Sequence, residues 1–463
     1  MEANKENVSI VVVPFPAQGH LNQLLHLSIV LSSHGLTVYY AALATHIHQA
    51  ISRLEGWHAS TIDLIRFHEL PIPPFASPAP NPNSSLFFPS HLEPLFKAFE
   101  DVRPHLANLL RSLSISSRRV VVISDNVISF AASEAAALPN CEPYTFRCVP
   151  PSVSLPREGQ DSPAGALLRS LGLKAPSTDD WISEEMLAFF RSRSESKPEY
   201  SGMLINTCRL IEGEFLDFFM KQQPDFIGKK VFAIGPVNPT VITDQTTKPR
   251  HHCLDWLDKQ PPASVLYVSF GSNTSISDDQ IQQLAIGLLN SEQKFIWVLR
   301  EADRGDAFTE LRENGRQNKL PAGFMGRIHG KGIVIGDWAP QLEILSHKSI
   351  ACFMSHCGWN SCMESISMGV PMLTWPMHSD QPWNSVLVSD YLKVGVIVRD
   401  WKRRKEVLFA VEIEKVIKEV MVGDKGEEIK RRARELREAV RQAVADGGSS
   451  HTELISFINH ITR

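Results

Sequence analysis

The chain has 463 residues, 43% hydrophobic and 21% charged, which is ample for buried cores and excludes a disordered or fibrous chain. Its formal net charge of −4 gives no electrostatic ground for a nucleic-acid partner. Length allows about three domains by a prior of ~150 residues each, or two larger ones.

Met1 to Ser9 carries Glu2, Lys5 and Glu6 with no apolar run, so no signal peptide is expected there. No stretch approaches the ~18 apolar residues of a membrane span. Seven cysteines are an odd number without a dense framework, which points away from disulfides and toward a reducing compartment. A soluble cytoplasmic protein is expected.

Ile10 to Val13 is a β-branched run typical of a doubly buried strand. After Pro14-Phe15-Pro16-Ala17-Gln18-Gly19-His20, leucines from Leu21 to Leu31 recur at helical spacing up to His34-Gly35, and Thr37 to Ala42 is strand-like again. This strand–loop–helix–strand unit builds parallel doubly wound sheets. Pro71 to Pro94 holds eight prolines and is expected to be an ordered surface loop, as is Pro150 to Pro176. Val120 to Ile123 is a buried strand ending at Ser124-Asp125-Asn126. A linker without hydrophobic period is expected over residues 238–251. The second half repeats the scheme, with strands Val265 to Phe270, Phe295 to Leu299, Ile333 to Ile335, Ala351 to Met354, Met372 to Trp375 and Val394 to Val398. Ala302 to Lys319 reads as a mobile charged loop, and the Arg- and Glu-rich Glu427 to Val444 as a solvated helix.

His20 follows the first strand, and Asp125 ends another. Ligands of open α/β sheets bind outside that edge. A histidine there can act as a general base near neutrality, and a carboxylate can hold its ring and stabilise the imidazolium. Capping or simple burial of His20 explains its position alone equally well; Asp125 shifts the balance. Neither Gly-x-Gly-x-x-Gly nor a P-loop lysine follows either leading strand, which removes the main support for hydride transfer. Cys352, Cys357 and Cys362 with His356 lack a zinc spacing and read as buried structural residues.

The segment WAPQLEILSHKSIACFMSHCGWNSCMESISMGVPMLTWPMHSDQ, Trp338 to Gln381, opens a helix after a buried strand at Ser355-His356-Cys357-Gly358. Free N–H groups at a helix N-terminus favour phosphate, and Gly358 permits close approach. His356 adds a donor, Glu364 suits a ribose diol, Trp338 offers a stacking face, and Asp380 and Gln381 can accept and donate at sugar hydroxyls. Nearly residue for residue, this segment resembles the signature of the plant family 1 UDP-sugar-dependent glycosyltransferases. FPAQGHLNQ (Phe15 to Gln23), NTCRLIEGEF (Asn206 to Phe215), FAIGPV (Phe232 to Val237) and CLDWLDKQPPASVLYVSFGS (Cys253 to Ser272) extend the resemblance over both halves. The HLNQ and MHSDQ-W-N stretches look most like the zeatin O-glucosyltransferase branch.

The resemblance implies an α/β protein of GT-B type, two facing Rossmann-like domains with parallel sheets. Residues 1–237 would form the acceptor domain and 252–440 the donor domain, with a helix in 441–463 packing back on the first. It implies inverting transfer of glucose from UDP-glucose, a co-substrate, to a hydroxyl of a small lipophilic plant metabolite (a cytokinin, flavonoid or other phenolic), giving a β-glucoside. His20 would be the base and Asp125 its partner. The donor would meet Ser272, Trp338, Ala339, Gln341, His356, Trp359, Asn360, Ser361, Glu364, Asp380 and Gln381. Phe15, Phe88, Phe146 and His378 would line the acceptor pocket; for His378, hydrogen bonding and packing are equally open. No metal, cofactor, nucleic acid or membrane span is expected, and a monomer is. Attack by an aromatic carbon, and more remotely a nucleotide-dependent oxidoreductase, are the alternatives; stabilisation by UDP rather than NAD separates the last. Pro382-Trp383 departs from the family's usual small or polar residues, and Trp383 is expected at the donor–acceptor junction.

Overall fold

A computed structural model describes residues 7–82, 88–157, 162–177, 182–194, 199–222, 228–242, 249–306 and 316–463. Seven strands form the first sheet: β1 (Val8–Val13), β2 (Thr37–Ala42), β3 (Ile65–Glu69), β4 (Arg119–Asp125), β5 (Cys141–Arg147), β6 (Gly202–Ile205) and β7 (Lys230–Ala233). Six form the second: β8 (Val265–Ser269), β9 (Lys294–Val298), β10 (Gly332–Ile335), β11 (Ile350–Ser355), β12 (Met372–Thr374) and β13 (Gly395–Ile397). Their orders are β3-β2-β1-β4-β5-β6-β7 and β10-β9-β8-β11-β12-β13, and neighbouring strands pair in parallel. Each order reverses once, between β1 and β4 and between β8 and β11. A parallel sheet opens a crevice at that reversal, beyond the C-terminal strand ends. The molecule therefore carries two such crevices, one per sheet.

The apolar runs are strands because helices cover both faces. Ile10, Val12 and Val38 pack beneath helix α1 (Gln18–Ser33), whereas Val11, Val13 and Val122 face the opposite layer. Tyr267 and Phe353 stack between adjacent strands of the second sheet, with ring centroids 4.9 Å apart.

The C-terminal helix Ser449–Thr462 lies on the first sheet's side. Phe457 meets Tyr144 and Phe232 at 5.4 and 5.2 Å, and Ser450 Oγ donates to the Gly235 carbonyl. Of the stretch read as a linker, residues 243–248 lie outside the described residues. Its start is fixed, since Asn238 Nδ2 donates to Ser367 Oγ at 3.2 Å and Thr240 O accepts from Arg441. Helices Pro163–Ser170 and Glu93–Ala98 occupy parts of the two proline-rich loops.

The expected mobile loop is corrected in its first part. Residues 307–315 lie outside the described residues, but Asp303 and Asp306 are held against the first domain. Arg53 reaches both oxygens of Asp303 at 2.5 and 2.9 Å, His91 Nε2 meets its carbonyl at 2.9 Å, and Ser77 N donates to Asp306. Asp303 is thus neutralised across the domain boundary by Arg53 as well as by its neighbour Arg300, while Asp306 pairs with Arg304 of its own segment. No described helix is long and apolar enough to cross a membrane.

Candidate active site

His20 is the third residue of α1, which begins at Gln18 with Ala17 as N-cap. The helix leaves β1 at the first crevice, so the ring projects beside the end of β4, whose Ser124 is in register with Val13. His20 Nδ1 lies 2.6 Å from Asp125 Oδ2, and the carboxylate is fully buried while the imidazole stays about one-quarter exposed. Val127 N donates to Oδ1 and Cys148 Sγ to Oδ2, so Asp125 cannot swing away. Burial alone would depress the imidazole pKa. The charge and hydrogen bond of Asp125 outweigh it, with Asp380 adding, and the value is raised above the ordinary 6.5. With Nδ1 occupied, Nε2 is the nitrogen left for a substrate.

The second crevice holds the other half. Helix Trp359–Met368 starts behind Gly358 at the end of β11. The His356 ring fills the space left by two glycines: a Cβ on Gly271 would fall 2.5 Å from Nε2, and one on Gly358 2.6 Å. His356 Nδ1 is buried without a partner among the described residues. Burial lowers its pKa to about 4, which leaves the ring neutral near pH 7. Cys357 and Ser379, at the two loops bounding the crevice, adopt φ of +66° and +56°. Left-handed backbone at non-glycine residues costs energy and collects where function dictates shape.

Gln341 Nε2 donates to Ser361 Oγ at 2.9 Å and Glu364 Oε2 at 2.7 Å. Burial pushes the Glu364 carboxyl up to about 7, with Gln341 partly opposing. Asp380 Oδ2 accepts from Asn384 at 2.6 Å, and burial raises its pKa also. Asn360 Nδ2 donates to the carbonyl of Gly19 at 3.1 Å, and Trp359 Nε1 to that of Asn206 at 2.7 Å. The start of one crevice helix thus touches the residue before His20. The two crevices face each other.

Two family signatures match end to end: the glycosyltransferase N-terminal domain over residues 6–239 and the UDP-glucuronosyl and UDP-glucosyl transferase family over 240–424. The chain belongs to the UDP-glycosyltransferases. It is 48% identical to cis-zeatin O-glucosyltransferase 2 of Zea mays, over 99% of each chain. It is 43% identical to zeatin O-xylosyltransferase of Phaseolus vulgaris, over 100% of each. Among solved structures, UGT2 of Phytolacca americana with UDP-2-fluoro-glucose and pterostilbene superposes at a TM-score of 0.74, with 25% identity over 98% of this chain and 99% of that one. The fold is that of GT-B UDP-glycosyltransferases, and the chain is a glycosyltransferase that uses a UDP-sugar.

Within this glycosyltransferase, several expected residues sit differently from their sequence reading. Phe146 has no exposed surface and packs in the core beneath α1, so its ring is not available to an acceptor. Trp383 is likewise buried, in the cluster that joins the two domains, so its ring is not open to a substrate. The Trp359 indole is committed to Asn206, leaving its backbone, not its ring, for a donor. Gln381 Oε1 accepts from the backbone N–H groups of Met377 and His378, so its amide can only donate outward, not both donate and accept. His378 has Nδ1 on Ser379 Oγ and Nε2 near Thr274 Oγ1. Burial lowers it to about 3. It acts as a neutral brace, with Phe88 edge-on at 6.3 Å. Phe15 lies 5.3 Å from the His20 ring and 4.5 Å from Phe96. Ala339 is buried, and Ser272 Oγ donates to Asn273 Oδ1. All seven cysteines are free and buried. Sequence reasoning did not find Arg53, Glu55, Cys148 or Asp303. Each is brought to the site by long-range packing that no local pattern announces.

Proposed function

We propose that this enzyme transfers glucose from UDP-glucose to the side-chain hydroxyl of a zeatin-type cytokinin, with inversion. The observation that carries the mechanism is the His20–Asp125 pair set across from the N-terminus of helix Trp359–Met368, joined to it through Asn360 and Gly19. Such an alcohol is not acidic at neutral pH, so it needs a base at the moment of attack. His20 Nε2 takes the hydroxyl proton while the oxygen attacks the anomeric carbon from the face opposite the diphosphate. The bond from that carbon to the β-phosphate oxygen breaks, and UDP leaves with the electron pair. Asp125 keeps the new imidazolium in place. His356 and the helix N–H groups receive the developing phosphate charge, a preorganised arrangement that needs no reorientation.

Uracil is placed against Trp338 and the ribose diol at Glu364, with Ala339, Gln341 and Ser361 around them and Ser272, Trp359 and Asn360 toward the diphosphate. Phe15, Phe88 and His378 form the acceptor side. The Zea mays relative's name supports a cytokinin acceptor and glucose as the sugar. The Phaseolus vulgaris relative's name makes xylose the second donor to test. Asp380 accepts and Gln381 donates at equatorial hydroxyls. Galactose turns one hydroxyl axial and leaves a site group unpaired at ~1–3 kcal/mol, about tenfold or more in kcat/KM. A competition of UDP-glucose, UDP-xylose, UDP-galactose and UDP-glucuronate on cis- and trans-zeatin, with a flavonol as comparison acceptor, tests both halves of this reading. Glucose is expected first and galactose at least tenfold behind. Preference for the flavonol, or galactose equal to glucose, would overturn the acceptor or the sugar assignment respectively.

Neutral donors in place of a cation at the diphosphate predict metal-independent turnover. Activity should persist in EDTA and gain nothing from Mg²⁺; collapse in EDTA with recovery on Mg²⁺ or Mn²⁺ would contradict it. One chain carries both half-sites, so a monomer suffices, and unpaired buried cysteines suit the cytoplasm.

A further inference from the structure

The uridine side of the cleft is not built by the donor domain alone. Arg53, at the end of helix Ala44–Ser52, and Glu55, in the turn after it, both come from the acceptor domain. Glu55 Oε1 accepts the indole N–H of Trp338 at 3.1 Å, and Oε2 accepts the backbone N–H of Leu342 at 2.8 Å. One carboxyl therefore ties the edge of the stacking ring to the first turn of helix Gln341–Ser346, whose Gln341 reaches Ser361 and Glu364. The backbone is shaped for this approach. Gly56 has φ +76°, and a Cβ there would lie 2.9 Å from Ile242 and Pro239 and 3.0 Å from Leu342. Next to it the Arg53 guanidinium lies 4.3 Å from the centre of the Trp338 ring, anchored by Asp303 and by Gln18 Oε1. A free indole can turn about two side-chain torsions; this one is fixed at its edge by a group from the other domain.

We propose that Glu55 is a positioning residue for nucleotide binding: it locks the Trp338 ring and the Gln341 turn in the uracil-binding arrangement, so that the acceptor domain completes the donor site. Glu55 does not touch the sugar or the reacting atoms. The inference rests on the placement of uracil against Trp338 given above.

Removal of both acceptor oxygens in Glu55→Ala frees the ring and leaves two N–H donors without their partner. Two buried hydrogen bonds to one carboxyl group are lost, so a roughly 10- to 30-fold weaker Kd for UDP is expected. The same factor should appear in the KM for UDP-glucose, because the platform contacts only the nucleoside. The kcat at saturating donor and the KM for the acceptor should stay within about twofold. Glu55→Gln keeps one acceptor oxygen and should fall between wild type and alanine, which also serves if the alanine variant fails to fold. Titration calorimetry with UDP and steady-state kinetics on the whole enzyme read these quantities. An unchanged Kd for UDP in a folded Glu55 variant would overturn the proposal, as would a fall in kcat with Kd and KM unchanged. Trp338→Ala run alongside separates the two layers. If it too leaves the UDP affinity intact, the uracil placement is wrong; if it alone weakens UDP, only the role of Glu55 is lost.

Discussion

His20→Ala should lower kcat on a zeatin-type alcohol by about 10²–10⁴-fold while leaving the Kd for UDP unchanged. The proposed base is held by its bond from Nδ1 to Asp125 Oδ2, on the side of the cleft away from the proposed uracil platform. Asp125→Asn should produce a distinct result. The His20 pKa is raised because the attraction of Asp125 exceeds the burial cost. In the wild type, then, the active neutral base is lost as pH falls through a value above the ordinary 6.5. Removing the Asp125 charge leaves burial dominant and lowers that pKa. The acid limb of kcat/KM therefore moves to lower pH, even as the plateau drops. A pH profile of both variants checks this. Near wild-type turnover in His20→Ala removes the residue from the mechanism, and an acid limb that stays put in Asp125→Asn removes the electrostatic link.

The reversal points of the two sheets were legible from sequence because they follow from ordinary strand–helix alternation. β1, β4, β8 and β11 are short β-branched or apolar runs with polar punctuation, and the proposed site residues lie at or beyond their ends: Asp125 closes β4, His356 follows β11 directly, and Ser272 and His20 sit in the segments after β8 and β1. Strand β5 escaped notice because Pro143 interrupts it; a proline contributes no ladder N–H, so it normally argues against a central strand. Strands β6 and β7 have only four residues each, too few to display a period. The acceptor pocket was hardest to read. Phe146 looks like any other aromatic near a strand end, and only the side of the sheet it faces decides that it is core. The same holds for Gln381. Its residue type announces a donor and an acceptor, but the backbone of Met377 and His378 consumes the acceptor. Sequence names the chemistry a residue could do; packing decides which of its atoms remain free.

The pair of glycines around His356 supports the sharpest test of the leaving-group side. Gly271→Ala is expected to cut donor kcat/KM about 10²–10³-fold, the usual loss when one charge-stabilising donor is removed. Two effects contribute. At φ +78° any side chain is strained by ~1–2 kcal/mol. More importantly, the new Cβ would stand 2.5 Å from His356 Nε2, so either the ring or the loop after β8 must move. Nε2 is the ring atom nearest both glycine positions, whereas Nδ1 is buried. Gly358→Ala meets the same atom at 2.6 Å without an unfavourable φ, so it should reproduce the catalytic loss with less loss of stability. Contacting residues that act through one group are not additive. In a His356→Ala background, where the ring is absent, Gly271→Ala should cost only the backbone strain, seen as a lower melting temperature with little further change in kcat/KM. The measurement is a double-mutant cycle on kcat/KM, with thermal unfolding recorded for each variant. Additive losses would mean that Gly271 serves the donor by itself, through the approach of its own backbone to the diphosphate, and that His356 is not the group it makes room for.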